Sequence, residues 1–298
     1  MSNHFAGAVP FSIPKPPPAP KIRENQTTTN IAAPQSSVTF VYQTKVAESR
    51  RSVTVTWSKN LVSHSFCLTV ENSSEENNFT CKIDFKAWQF WGKKGLKSFE
   101  IDRRRVDVFW DFRQAKFDTT PMPCSDYYVV LVCRQEIVLL LGDLKEEAYK
   151  RTRSKPLLEE AALLYKKENV CGKKVFSTKA VLDESPTEHD IVIETSLSGP
   201  GDPEMWIIIN GTTAIRIMNL NWRFRGNETV TVNGLPVQIF WDVHDWLFSS
   251  PGASHGLFIF KPGNSLEFTS HSDPDDNNQH KETPSREFCH FLHAWKEN

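Results

Sequence analysis

No stretch of this sequence approaches the roughly 18 consecutive apolar residues that a membrane-spanning helix requires. The longest apolar run, Ile137 to Leu141, has the length of a buried strand. Net charge is lacking as well: 35 basic and 36 acidic residues nearly cancel, so there is no long-range pull toward nucleic acid or anionic membrane. The N-terminus carries no charged segment followed by an apolar one, since Phe5 to Ile13 is short and broken by Pro10. The expectation is a soluble intracellular protein, cytoplasmic or nuclear. Six cysteines form no CxxC pair and no zinc-finger spacing, and Cys67 and Cys81 read as reduced core thiols. No Gly-x-Ser-x-Gly elbow, no Cys with an identifiable His partner and no Walker spacing is present. Nothing calls for a cofactor or a metal.

What the chain does have is aromatic residues, nine Trp and twenty Phe, in a sequence whose hydrophobic share is only 39%. That combination suggests a part of the chain that does not pack beside a part with a large aromatic core. The aromatics fall in a string that occurs twice. Val106-Asp107-Val108-Phe109-Trp110-Asp111 returns as Val237-Gln238-Ile239-Phe240-Trp241-Asp242, and each copy closes on a Phe, Phe117 and Phe248. Upstream, Trp88-Gln89-Phe90-Trp91-Gly92 stands to the first copy as Trp222-Arg223-Phe224-Arg225-Gly226 stands to the second. Two matched segments in one order point to internal duplication.

Around these copies the alternation is that of strands. Val53, Val55 and Trp57 share a face; so do Phe66, Leu68 and Val70, and Cys81, Ile83, Phe85 and Ala87. Tyr127 to Cys133 and Ile137 to Leu141 read as an interior hairpin. Asn210-Gly211 and Asn233-Gly234 are hairpin turns. Asn-x-Ser/Thr triplets at Asn25, Asn72, Asn78, Asn210 and Asn227 read as turn chemistry. Asp143 with Glu146 resembles a capping box that opens a helix to about Arg153. Leu157, Leu158, Ala161, Ala162, Leu164 and Tyr165 continue at helical spacing.

The expected fold is all-β dominated: duplicated antiparallel sandwich- or barrel-like lobes with one helical insert between the copies. The boundaries are a Pro-rich N-terminal tail over 1–37, a first lobe over 38–142, a helical connector over 143–170 and a second lobe over 171–268. A mostly flexible tail over 269–298 holds a short helix at Phe288 to Trp295. Lys15 to Lys21 in the N-terminal tail favours polyproline II.

The strings Gly142-Asp143-Leu144-Lys145-Glu146-Glu147-Ala148-Tyr149, Val175-Phe176-Ser177-Thr178-Lys179-Ala180, Trp222 to Glu228 and Trp241 to Phe248 resemble the plant-specific family known as domain of unknown function 868. The resemblance runs from about residue 40 to 262. It implies a plant protein and brings no catalytic residue, cofactor or partner with it.

Three sets of residues could carry function. Asp242, His244 and Asp245, with Asp111 from the first copy, form the most catalytic-looking group, although an Asp that ends a strand ordinarily accepts N–H groups of the following turn. Arg103, Arg104 and Arg105, with Gly92-Lys93-Lys94-Gly95 and Gly172-Lys173-Lys174, could rim an anion site or simply face water. Trp91 and Trp246 fall off the core alternation and could meet a sugar or a protein, whereas Trp57, Trp88, Trp110, Trp206, Trp222 and Trp241 read as core. The favoured reading is a non-catalytic module that binds another protein. A carbohydrate- or lipid-headgroup-binding lobe is the alternative, and an enzyme using Asp242 and His244 comes third.

Overall fold

The computed structural model describes residues 36–61, 63–71, 78–86, 92–156, 160–182, 187–198, 201–249, 254–263 and 288–297. Almost all of the expected Pro-rich tail lies outside them, as do Trp88 and Trp91. The protein is all-β dominated.

The first half starts with an antiparallel meander of β1 (Ser36–Val46), β2 (Ser49–Lys59), β3 (Ser63–Val70) and β4 (Phe79–Lys86). Next come β5 (Lys94–Ile101) and β6 (Arg104–Asp111), the small ribbon β7 (Lys116–Phe117) with β8 (Pro123–Ser125), then β9 (Tyr128–Cys133) and β10 (Glu136–Gly142). The second sheet runs in the order β10-β9-β6-β5. The period-two apolar positions of both sheets close on one core, centred on Trp57, whose ring lies 4.6 Å from Phe66, 5.6 Å from Phe112 and 5.7 Å from Tyr127.

Helix α1 (Lys145–Thr152) covers the outer side of β9 by setting Ala148 against Tyr128, Val130 and Val132. With both faces covered, every residue of β9 is buried, so its sequence is a continuous apolar run rather than an alternation. The helix has no side-chain cap. The Asp143 carboxylate accepts the backbone N–H groups of Asp126 (3.0 Å) and Tyr127 (3.1 Å), so it ties down the loop before β9 rather than capping the helix.

The second half follows the same succession. A meander of β12 (Val175–Ala180), β13 (His189–Ser196), β14 (Glu204–Ile209) and β15 (Thr212–Ile217) leads to β16 (Arg225–Val232) and β17 (Leu235–Asp242). The one-turn helix α2 (His244–Phe248), β18 (His255–Pro262) and β19 (Cys289–Lys296) complete it. A second core gathers Phe176, Ile191, Ile193, Ile207, Trp241, Trp246, Phe258 and Leu292. Between the halves lies β11 (Ala162–Gly172). It joins them into one nine-stranded sheet of order β16-β17-β18-β19-β11-β1-β2-β3-β4.

Two sequence expectations are corrected by that sheet. Among the described residues the connector over 143–170 is helical only through α1; from Ala162 it is a strand, paired antiparallel with β1 and parallel with β19. The apolar spacing from Leu157 onward fits a helix, but two neighbouring strands with free backbone groups on either side decide for the extended form. The C-terminal segment from Cys289 is likewise a strand. His290, Leu292 and Ala294 all have no exposed surface, a strict period of two too short to stand out in the sequence.

The hairpins β5–β6 and β16–β17 are alike in register. Gly95 faces Trp110 and Lys94 faces Asp111, as Gly226 faces Trp241 and Arg225 faces Asp242. Trp110 Nε1 donates to the Gly92 carbonyl at 2.7 Å, and Trp241 Nε1 to the Arg223 carbonyl at 3.0 Å. Each indole lies flat on its glycine, where a Cβ would fall inside the ring. This register matches Trp222 with Trp91, not with Trp88 as the strings by themselves suggest; each member of the pair stands one residue before the carbonyl that its hairpin's indole uses.

Leu292→Ala is expected to lower stability by about 2–5 kcal/mol, because Leu292 is fully buried in the second core and its truncation opens a cavity there. Urea unfolding followed by tryptophan fluorescence measures it.

Candidate functional site

The residues that looked catalytic are committed to local structure. Asp111 Oδ1 accepts the Arg113 N–H at 3.1 Å, and Asp242 Oδ1 accepts the His244 N–H at 3.1 Å, so both act as turn-closing acceptors at a strand end. Lys94 sits 3.1 Å from Asp111, and Arg225 Nε 2.8 Å from Asp242. Burial pushes the Asp111 carboxyl up, but the hydrogen bonds and charges of Arg113 and Lys94 outweigh it and hold it below the ordinary range. His244 Nδ1 lies 3.2 Å from Asp245 Oδ1, its neighbour in α2. The structure does not bring Asp111 together with Asp242 and His244: they belong to two hairpins, and each is taken up by its own surroundings.

The arginine corner is a hairpin turn. Asp102 and Arg103 hold φ values of 50° and 59°, and the next two arginines pair with acids, Arg104 with Glu48 at 3.3 Å and Arg105 with Asp107 at 2.8 Å. The basic turn at Gly92 to Gly95 lies at the other end of β5, about 25 Å away at the rise of a strand, so the two cannot share one anion. Asn210 takes the turn position that its Gly neighbour suggests, and its Oδ1 accepts the Asp190 N–H at 3.0 Å, whereas Asn227 lies in β16.

Trp246 is not exposed. It is buried in the second core, stacked 5.0 Å from Phe176, with Nε1 donating to the Ala294 carbonyl at 3.0 Å, and it fastens α2 onto β19. Among the described residues the exposed indole is Trp222, assigned to the core by its sequence, which is 88% exposed. Residues 220–222 form a turn. Leu220, fully buried, plugs that turn into the core; the N–H groups of Trp222 and Arg223 both donate to the Asn219 carbonyl, at 2.9 and 3.1 Å. The Phe224 carbonyl accepts the Val243 N–H at 2.8 Å, and the Arg223 carbonyl holds the Trp241 indole. The loop is therefore fastened on both sides while its largest side chain points to water.

Beside it lies a set of rings. Phe224 is 5.4 Å from His244 and 5.7 Å from Phe248, His244 is 4.9 Å from Phe248, and the Arg225 guanidinium is 5.5 Å over Phe224. Phe248 is itself 56% exposed. Sequence reasoning could have found this corner by asking which tryptophan falls between a strand end and an Asn-rich turn.

A second feature gave no signal in the sequence. Between β1, β11, β12 and β13 there is a cleft of about 600 Å³, whose floor is the side-chain pair Lys166 and Glu168 on β11. Lys166 Nζ is 3.1 Å from Glu168 Oε1 and donates to the Lys179 carbonyl at 2.7 Å. Thr178 Oγ1 donates to Glu168 Oε2, and His290 Nε2 meets the same oxygen at 3.0 Å. Burial pushes the Glu168 carboxyl up, yet the hydrogen bonds from His290 and Thr178 and the Lys166 charge more than offset it and hold it at about 2 against an ordinary 4.5. Burial pushes His290 down, more strongly than Glu168 pulls it up, so the ring is neutral. A carboxylate only accepts, so Nε2 carries the proton and Nδ1 is left as a buried acceptor without a hydrogen-bond partner.

The chain belongs to a plant family: residues 33–296 match the one described as plant protein of unknown function, DUF868. No curated protein and no solved structure is detectably similar to it. Among the described residues no helix is long and apolar enough to cross a membrane, and no group of three or more His, Cys, Asp or Glu is placed to hold a metal ion. All six cysteines are free, Cys81 and Cys133 buried and Cys124 exposed.

Two measurements follow from this geometry. Trp246→Ala is expected to destabilise the protein by about 3–5 kcal/mol, and Trp222→Ala by no more than about 0.5 kcal/mol, as read from urea unfolding midpoints. Stability should also fall as the solution is acidified. The folded chain holds His290 below its ordinary 6.5 and Glu168 near 2, so the unfolded chain binds more protons throughout that range. The loss begins as pH drops through 6.5 and continues below 4.5, and His290→Gln should flatten its upper part.

Proposed function

We propose that this protein is a non-catalytic β-sandwich module that binds another protein inside the plant cell, through the corner formed by Trp222, Phe224, His244 and Phe248. One observation carries the reading: a tryptophan 88% exposed on a loop that is fastened to the core on both sides. Leaving 150–250 Å² of aromatic surface in water forgoes about 4–6 kcal/mol of burial. A floppy loop would fold such a ring back onto the body; a fastened one keeps it presented. Rigid aromatic anchors beside an arginine are the composition of binding hot spots.

The absence of catalysis is part of the same reading. Its support is that Asp111, Asp242 and His244 are engaged in turn closure and ion pairing within their own hairpins. A lipid-headgroup role for the arginine corner has less support, because Arg104 and Arg105 already have carboxylate partners.

A photo-crosslinking amino acid placed at position 222, at 248 or at the exposed control Leu61 in the full chain, expressed in plant cells, tests the reading. The expected result is one discrete protein adduct from 222 and from 248, none from 61, and loss of the 248 adduct when Trp222→Ala is added. Equal labelling at all three positions, or none at 222, overturns it.

A further inference from the structure

We propose that the cleft over Lys166 and Glu168 is a binding site for a neutral polyhydroxylated ligand, a short oligosaccharide. Its volume of about 600 Å³ falls in the range of small-molecule sites, and it is a place where two sheets and a turn meet.

The walls decide the ligand's chemistry. Six hydroxyl-bearing residues line the cleft in three adjacent pairs: Ser36 and Ser37, Thr119 and Thr120, Ser177 and Thr178. A hydroxyl both donates and accepts, which is the pattern a polyol presents in return. Thr120 and Thr178 already donate, to Asp118 and to Glu168, and offer a ligand their acceptor side. Some of this capacity is oriented already. Ser37 Oγ accepts the Asn169 amide at 2.7 Å and so keeps its own proton for a ligand. The Lys166 ammonium, nearly buried, spends two of its N–H groups on Glu168 and on the Lys179 carbonyl, leaving the third for an oxygen in the cleft. Between the polar groups run apolar patches, Phe40, Met122, Val170 and Val192, suited to the C–H faces of a sugar ring.

Other ligand classes fit less well. An anion would need an uncompensated cation, but Lys166 is matched by Glu168, Lys179 lies 3.5 Å from Asp190, and Glu188 adds a further negative charge. A wholly apolar ligand would seal Lys166 and Glu168 away from every polar group it could offer them. Neutral hydroxyls satisfy the site without adding charge.

Isothermal titration of the full chain with cellohexaose, xylohexaose and mannohexaose, and with hexagalacturonate and inositol hexakisphosphate as anionic probes, tests the assignment. At least one neutral hexaose should bind saturably, and the anions should bind at least about tenfold more weakly. Ser177→Trp, at an exposed position of the wall, should abolish binding with the thermal midpoint unchanged. The double variant Lys166→Met with Glu168→Gln, which removes both charges together, should weaken it. Trp222→Ala should leave it untouched, so that the outcome is separable from that of the protein-binding corner. Absence of binding by all three neutral sugars, tighter binding of either anion, or wild-type affinity in a folded Ser177→Trp variant overturns the proposal. If that variant does not fold, Glu188→Gln and Ser177→Ala together serve in its place, with wild-type affinity again counting against the site.

Discussion

The last strand of the chain is hydrogen-bonded on both sides, and the rest of the fold depends on that. β19 pairs antiparallel with β18 and parallel with β11, and β11 in turn pairs with β1. Without the two ladders of β19 the nine-stranded sheet would fall into a three-stranded and a five-stranded piece with open edges, each able to recruit a strand from another chain. With them, one continuous sheet serves two cores: β1 to β4 close the first, and β16 to β19 close the second. The parallel pair of β11 with β19 joins segments 124 positions apart, such as Tyr165 and Cys289, so β19 acts as a seal.

Two polar arrangements depend on this seal. The first is the buried group of Lys166, Glu168, Thr178 and His290, drawn from β11 and β19 of this sheet and from β12 of the sheet beside it. The Glu168 carboxylate stays ionised at that depth because it has a cation of opposite sign and hydrogen-bond donors around it. The second is the tryptophan clamp. Trp246 holds α2 to β19 through its indole N–H, and Trp241 holds the loop before β16 in the same way. The core thus fixes the loop that carries Trp222, and the exposure of that ring is a consequence of how firmly its neighbours are buried.

The likeness of the two hairpins explains why the Phe-Trp-Asp strings look alike. Trp needs a glycine opposite it, its N–H needs a carbonyl three residues before that glycine, and the Asp that follows needs a donor two residues on and a cation across the ladder. These four demands are met at Gly95, Gly92, Arg113 and Lys94, and again at Gly226, Arg223, His244 and Arg225. The shared Asp is therefore part of hairpin architecture. An acid–base pair of Asp242 and His244 on one face would need β17 to continue past Asp242, whereas the chain turns there into α2.

Much of the fold was legible in the residues alone, because period-two burial is a local property: the meanders, the Asn-Gly turns, the dominance of strand and the family itself all follow from short strings. The strand β11, the strand β19 and the buried group at Lys166 were not. Leu163 and Tyr165 suit either a helix or a strand, and only open ladders on both sides chose the strand. His290 looked like a tail residue because its carboxylate partner is 122 positions away. The sequence could say that some tryptophans are buried and some are not, but Trp222 and Trp246 exchanged places once the chain folded. Whether an indole meets water or a core depends on which strand ends beside it, and pairing between distant segments sets that.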